Sequence, residues 1–128
     1  LKQAAREVGG RQIQNAGTIA GNICNASPAA DGVPPLLALD AEVELASRAG
    51  SRRVSLQDFI TGVRQTALQP GELVVALRVP RPRWEAKGAF LKLGARRYLV
   101  ISIAMVSAVL EMADGKVAAA RVAVGSCS

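Results

Sequence analysis

Apolar residues recur at two different intervals along this chain. In the first half the spacing is mostly helical. "LKQAAREV" places its apolar positions on one side of a short helix over residues 2–8, stopped by Gly9-Gly10. The next piece, "RQIQNAG", reads as extended or turning. Thr18 is a good N-cap, with a short helix "IAGNICNA" behind it. Pro28, Pro34 and Pro35 punctuate a loop, and "PPLLALDA" suits a helix entered through proline. From there alternation takes over. "EVELASR", a turn at "AGS" and "RRVSL" predict a hairpin, followed by a short capped helix in "SLQDFITGV". "GELVVALRVP" predicts a strand buried on both faces and ended by Pro80; "RPRWEAK" predicts a polar connection. Three strands follow at roughly 88–95, 100–112 and 116–125, the last two joined by "ADGK", a strong hairpin signal. The fold class is α+β, with a subdomain boundary near 81–87 dividing the chain into 1–84 and 85–128.

Composition narrows the chemistry. Half of the 128 residues are hydrophobic and only 3% aromatic, so a core of Val, Leu, Ile and Ala is expected. There is no His, which removes His-based nucleophile pairs, zinc sites and proton shuttles. Cys24 and Cys127 cannot complete a four-thiolate iron–sulfur site and read as free buried thiols in a reducing cytoplasm. Glu42 and Glu44 alternate with Val43 and Leu45, so they belong to the wet face of a strand rather than to acid–base work. No apolar run approaches the ~18 residues of a membrane span. The chain opens without Met, in mid-helix, and without a secretory leader pattern, so a longer parent chain is expected. The net charge of +6 raises nucleic acid as a partner. Against it, the basic residues are scattered and there are few aromatic stacking platforms. Any reactive chemistry must then come from a cofactor or another subunit.

The stretch "NAGTIAGNICNASPAAD" is where a cofactor would be held. A threonine cap followed by small residues presents free backbone N–H groups at a helix start, a place suited to anions. Gly21 lets a ligand lie on the main chain, Asn22 and Asn25 offer amides, and Asp31 can accept from sugar hydroxyls. "GTIAGN" therefore reads as a phosphate or diphosphate cradle, although a capped glycine turn serves structure alone in many chains. It is neither a Walker loop nor the Rossmann fingerprint.

The words and their order go further. "RQIQNAGTIAGNICNASPAADGVPPLLALDAEVEL", "GSRRVSLQDFITGVRQTALQPGELVVALRVP", "FLKLGARRYLVISIAMVSAVLE" and "RVAVGS" together resemble the FAD-binding domain of the molybdenum hydroxylases, as in the medium subunit of carbon monoxide dehydrogenase and the flavin domain of xanthine dehydrogenase. The resemblance implies the second lobe of a two-lobe FAD-binding fold, followed by the first strands of a small antiparallel C-terminal subdomain. It implies FAD contacts at Gly17, Thr18, Ile19, Ala20, Gly21 and Asn22, polar positions beside the cofactor at Ser27 and Asp31, an apolar strand against it at Leu73 and Val74, and a lysine near the flavin ring at Lys92. Plain core for Leu73 and Val74, and a solvated strand lysine for Lys92, are the alternatives.

The implied function is electron transfer in a cytoplasmic oxidoreductase. A large subunit carries molybdopterin and oxidises the substrate, a small subunit carries iron–sulfur clusters, and FAD passes electrons to an external acceptor. The alternative is a non-catalytic scaffold that has lost FAD. Two departures stand out. The family usually has Gly-Gly-Asn where this chain has Ala20-Gly21-Asn22, which costs something only if position 20 needs a positive φ. The family's first glycine-rich FAD loop is expected upstream of Leu1, and its C-terminal helices beyond Ser128.

Overall fold

A computed structural model describes residues 1–127 as five short helices and eight strands. The helices α1 (Lys2–Glu7), α2 (Arg11–Ala16), α3 (Ile19–Cys24) and α4 (Val33–Ala38) come first. Then come β1 (Glu42–Ser47), β2 (Gly50–Ser55), α5 (Leu56–Phe59), β3 (Ile60–Gly62), β4 (Gln65–Thr66) and β5 (Leu73–Arg78). The chain closes with β6 (Glu85–Leu93), β7 (Ala104–Ala113) and β8 (Lys116–Gly125). All strand pairings are antiparallel, and the α+β expectation holds.

The first sheet has the order β2-β1-β5. One core backs it: Ile23 of α3, Leu36 of α4, Val43 and Leu45 of β1, and Leu56 and Phe59 of α5, all fully buried. The β1–β2 turn is Arg48-Ala49, one residue earlier than expected, because Gly50 already pairs with Ser47. The capped helix is found but lasts one turn: Ser55 Oγ accepts from Asp58 N–H at 3.0 Å, and the chain turns into β3 after Phe59. The β5 strand corrects the sequence reading. It is an edge strand buried on one face, with Val74 and Leu77 against the core and Leu73 and Val75 exposed. Its unbroken apolar run looked like a strand buried on both sides; only one layer covers it.

The second sheet has the order β6-β7-β8. Asp114 and Gly115 make the two-residue β7–β8 turn, both with positive φ (50° and 74°), as such hairpins require. On its inner face Phe90 and Met105 pack with Ala4 of α1, and α4 lies across β7 and β8. On the outer face Leu91, Leu93, Val122 and Val124 are exposed.

Three boundaries differ from expectation. "RQIQNA" is helical, not extended: its residues favour helix, but none is buried, so no apolar stripe signals the period. The β6 strand starts at Glu85, inside the expected polar connection. The β7 strand starts at Ala104, not 100. Over 96–99 the chain instead folds on itself, with Arg96 Nε donating to the carbonyls of Tyr98 and Leu99 (3.0 and 3.2 Å) and Leu99 at φ 52°.

Candidate functional site

Thr18 caps α3 as expected. Its φ of −122° and ψ of 155° are extended, and its Oγ1 accepts from Gly21 N–H at 2.9 Å. The N–H groups of Ile19 and Ala20, at the first two helical positions, have no intrahelical acceptor and remain free for a ligand. A helix of six residues carries little macrodipole, so these donors are what the turn offers. Ala20 is helical, so alanine there imposes no strain and favours the helix by about 0.5–1 kcal/mol over glycine. Gly17 lies so close to the Ile13 carbonyl that an added Cβ would stand 2.8 Å from its oxygen.

The turn opens on a cleft of about 670 Å³. Apolar side chains of Leu1, Val8, Ile13 and Ile19 wall it, and Arg6, Gln14, Thr18 and Asn22 bring polarity to it. A second cleft of about 500 Å³ shares Val8, Ile13 and Asn22 with the first and adds Asn25, Ser27 and Asp31, under Leu99, Val100 and Ile101. Asn22 thus stands where the two meet. Its Oδ1 accepts from Gly32 N–H at 3.2 Å. Ser27 Oγ accepts from Ala29 N–H at 3.3 Å.

Asp31 is buried, and both its oxygens are engaged. Oδ2 accepts from Lys92 Nζ at 2.7 Å and Oδ1 from Ser102 Oγ at 2.6 Å. Lys92 Nζ also donates to the Glu7 carbonyl at 3.2 Å. The solvated reading of Lys92 is therefore wrong: its side chain is 7% exposed. The strand places it on the inner face of β6, and Asp31 supplies the counter-charge. This pair ties the turn before α4 to the second sheet.

The structure brings Gly17, Thr18, Ile19, Gly21 and Asn22 to the first cleft, with Ala20 in the same helical turn, and Ser27 and Asp31 to the second. Lys92 faces a third opening beside Arg6, Arg96 and Arg97. Leu73 and Val74 line neither cleft holding the cradle. Sequence reasoning missed Gly32 and Ser102, which hold Asn22 and Asp31. Neither carries a signal, since each matters only through a partner ten or more residues away.

Charges elsewhere are largely structural. Arg52 forks onto Glu72 (Nε–Oε1 2.7 Å, Nη2–Oε2 2.8 Å), and that bond, with the Gln69 N–H, holds the Glu72 carboxyl down at about 2. Arg121 bonds Glu111, the Ala38 carbonyl and Asp40, while Glu111 accepts from the N–H groups of Arg83 and Trp84. The Arg121 bond holds the Glu111 carboxyl below its ordinary value. Glu44 pairs with Arg78 across β1 and β5. Cys24 is partly buried, which raises its thiol pKa, whereas Cys127 is exposed, not buried as expected. No cluster of metal-ligating side chains occurs, and no helix is long and apolar enough to cross a membrane, among the described residues.

The family model described as the FAD binding domain in molybdopterin dehydrogenase matches residues 1–82. The FAD-subunit of nicotinate dehydrogenase from Eubacterium barkeri is 42% identical over 106 residues, covering 80% of this chain and 36% of that protein. The putative xanthine dehydrogenase FAD-binding subunit of Escherichia coli K12 is 35% identical over 126 residues, 98% of this chain and 43% of that one. The reconstituted CO dehydrogenase from Oligotropha carboxidovorans superposes with a TM-score of 0.87 at 33% identity, over 94% of this chain and 42% of that one. The chain thus spans about two fifths of the length of these relatives.

Proposed function

The chain belongs to the family of FAD-binding domains of molybdopterin dehydrogenases, and from that premise we propose that it is part of the FAD-holding, electron-transferring subunit of a molybdopterin-dependent oxidoreductase. The observation that carries this reading is the Thr18-capped turn with free Ile19 and Ala20 donors at the mouth of the first cleft. The fit to FAD is chemical: a diphosphate needs donors, and planar rings need apolar walls. The cleft joins both, and its size is that of small-molecule sites.

In this reading Thr18 keeps the turn in shape by holding the Gly21 N–H, the free amides of Ile19 and Ala20 face phosphate oxygens, and Asn22 adds a side-chain donor. Gly17, Ser27, Asp31 and Lys92 complete the proposed cofactor surroundings, Asp31 and Lys92 as a mutually neutralised pair; Leu73 and Val74, which line neither cleft, stay proposed contacts on the family resemblance alone. FAD, when bound, supplies reversible two-electron acceptance. The chain's own residues bind and orient; they hold no proton for the reaction. The partners are a large molybdopterin subunit and a small iron–sulfur subunit, in the cytoplasm. The two-part division at 84/85 is retained, supported by the separate β2-β1-β5 and β6-β7-β8 sheets. The scaffold alternative draws no support from relatives described as FAD subunits.

FAD retention tests the reading. In the full-length protein, Asn22→Ala should weaken FAD by about 1–3 kcal/mol, the loss of a charge-assisted hydrogen bond, and Thr18→Ala by about 1–2 kcal/mol through loss of the cap that shapes the donor turn. Titration of the flavin-free protein reads this directly. Unchanged affinity in both variants removes the cradle.

A further inference from the structure

Asn22 and Gly32 lie ten residues apart and meet at closest range. Asn22 Oδ1 accepts from Gly32 N–H at 3.2 Å. A Cβ on Gly32 would stand 2.5 Å from that same oxygen and 3.4 Å from Asn22 Cγ. Gly32 has φ −77° and ψ −22°, a backbone that any residue adopts. The main chain therefore does not require glycine here; the approach of Asn22 does.

Gly32 cannot step aside either. The preceding residue is Asp31, whose carboxylate is held by Lys92 and Ser102. The following residue, Val33, starts α4, which is buried at Pro34, Pro35 and Leu36. A side chain at position 32 would be accommodated by turning Asn22 away. The oxygen of an Asn amide that accepts a backbone N–H fixes the direction of the NH2 group. Asn22 Nδ2 has no acceptor among the described residues, and Asn22 stands at the junction of the two clefts.

We propose that Gly32 is a positioning residue for FAD binding: its missing side chain seats Asn22 Oδ1 on the Gly32 N–H and so points the Asn22 NH2 donor at the cofactor. This rests on reading Thr18–Asn22 as the FAD cradle. Gly32 also lines the first cleft, but the effect proposed for it is exerted through Asn22.

The test is a double-mutant cycle in the full-length protein, stripped of flavin and titrated with FAD by calorimetry. Asn22→Ala should raise the FAD Kd about ten-fold or more, as for a lost hydrogen bond to a charged group. Gly32→Ala should raise it about as much, and the double variant N22A/G32A no further than either, because both remove one donor. The flavin-free Gly32→Ala protein should keep its thermal midpoint, while its Asn22 side-chain amide resonances move. Wild-type affinity in Gly32→Ala beside a weakened Asn22→Ala overturns this inference alone, as do additive losses in the double variant. Wild-type affinity in Asn22→Ala overturns the cradle and this inference together. If Gly32→Ala fails to fold, N22A/G32A, which lacks the obstructing oxygen, should fold; its failure overturns the inference.

Discussion

Replacing Lys92 with methionine should be among the most destabilising single changes in this chain. The ammonium and the Asp31 carboxylate are 2.7 Å apart, with side chains 7% and 8% exposed. At an effective dielectric of about 20, two unit charges at that distance attract by about 6 kcal/mol. Desolvation of both ions offsets most of this, so the pair itself adds little to stability. Removing one member is different. Methionine keeps the apolar stem and much of the volume, so packing changes little. The carboxylate, however, stays buried with Ser102 as its one remaining partner, and the bond to the Glu7 carbonyl is lost. A broken buried pair costs about 3–5 kcal/mol. With a urea slope of about 1–3 kcal/mol/M, the unfolding midpoint should fall by about 1–5 M, the smaller shift belonging to the steeper slope. Chemical denaturation followed by circular dichroism reads this in the flavin-free full-length protein. The variant D31N/K92M should recover much of the loss, since an asparagine can still accept from Ser102 without a charge. A Lys92→Met loss below about 1 kcal/mol, or a double variant as costly as the sum of the singles, would show that the pair is not what holds this junction.

Three further outcomes are expected. If the pair lies near the flavin, Lys92→Met should lower the bound flavin's midpoint potential and Asp31→Asn raise it, each by about tens of millivolts for one unbalanced charge; spectroelectrochemical titration showing no shift in either variant places the pair away from the ring. Glu72, held down at about 2 against an ordinary 4.5, contributes stability that is fully present above pH 4.5 and lost as pH falls through about 2. Wild type and Glu72→Gln should therefore converge in stability on acidification across that window, and parallel curves from pH 5 to 2 contradict the Arg52–Glu72 assignment. Finally, the 128-residue chain produced alone should self-associate through the outer face of β6-β7-β8 and bind FAD only in the high-micromolar range or more weakly; sedimentation should show Leu91→Lys with Val122→Lys shifted toward monomer, and calorimetry giving a submicromolar Kd would refute the weak-binding expectation.

The parts of the fold legible in sequence are those whose signal is local. Thr18 and Ser55 act on backbone groups three residues away, so both caps were readable. The β7–β8 turn follows from Asp114-Gly115 alone, and the alternation of β7 and β8 from their own residues. The misreadings have non-local causes. Whether Leu73 and Val75 face a second layer depends on what lies outside β5, which no property of "LVVALR" encodes. The β3–β4 hairpin, built on five or so residues with a left-handed Arg64, has too few alternating positions to announce itself. The α2 helix is exposed all round, and periodicity reports burial, not helicity.

The same distinction divides the candidate site. A capped turn is a local object, and it appeared where "GTIAGN" predicted. The polar groups behind it are not local. Lys92 lies 61 residues from Asp31, Ser102 lies 71 from it, and each becomes legible only once α4 and the second sheet are packed together. Reading Lys92 as a solvated strand residue would assign its charge to water; the structure assigns it to Asp31. The consequence reaches the chemistry. A free lysine beside a cofactor presents a full positive charge, whereas this one presents a dipole whose negative end is Asp31. If a flavin binds as proposed, the field it meets from this region is set by the orientation of the pair, and so by the residues that fix the turn at Asp31 and Gly32.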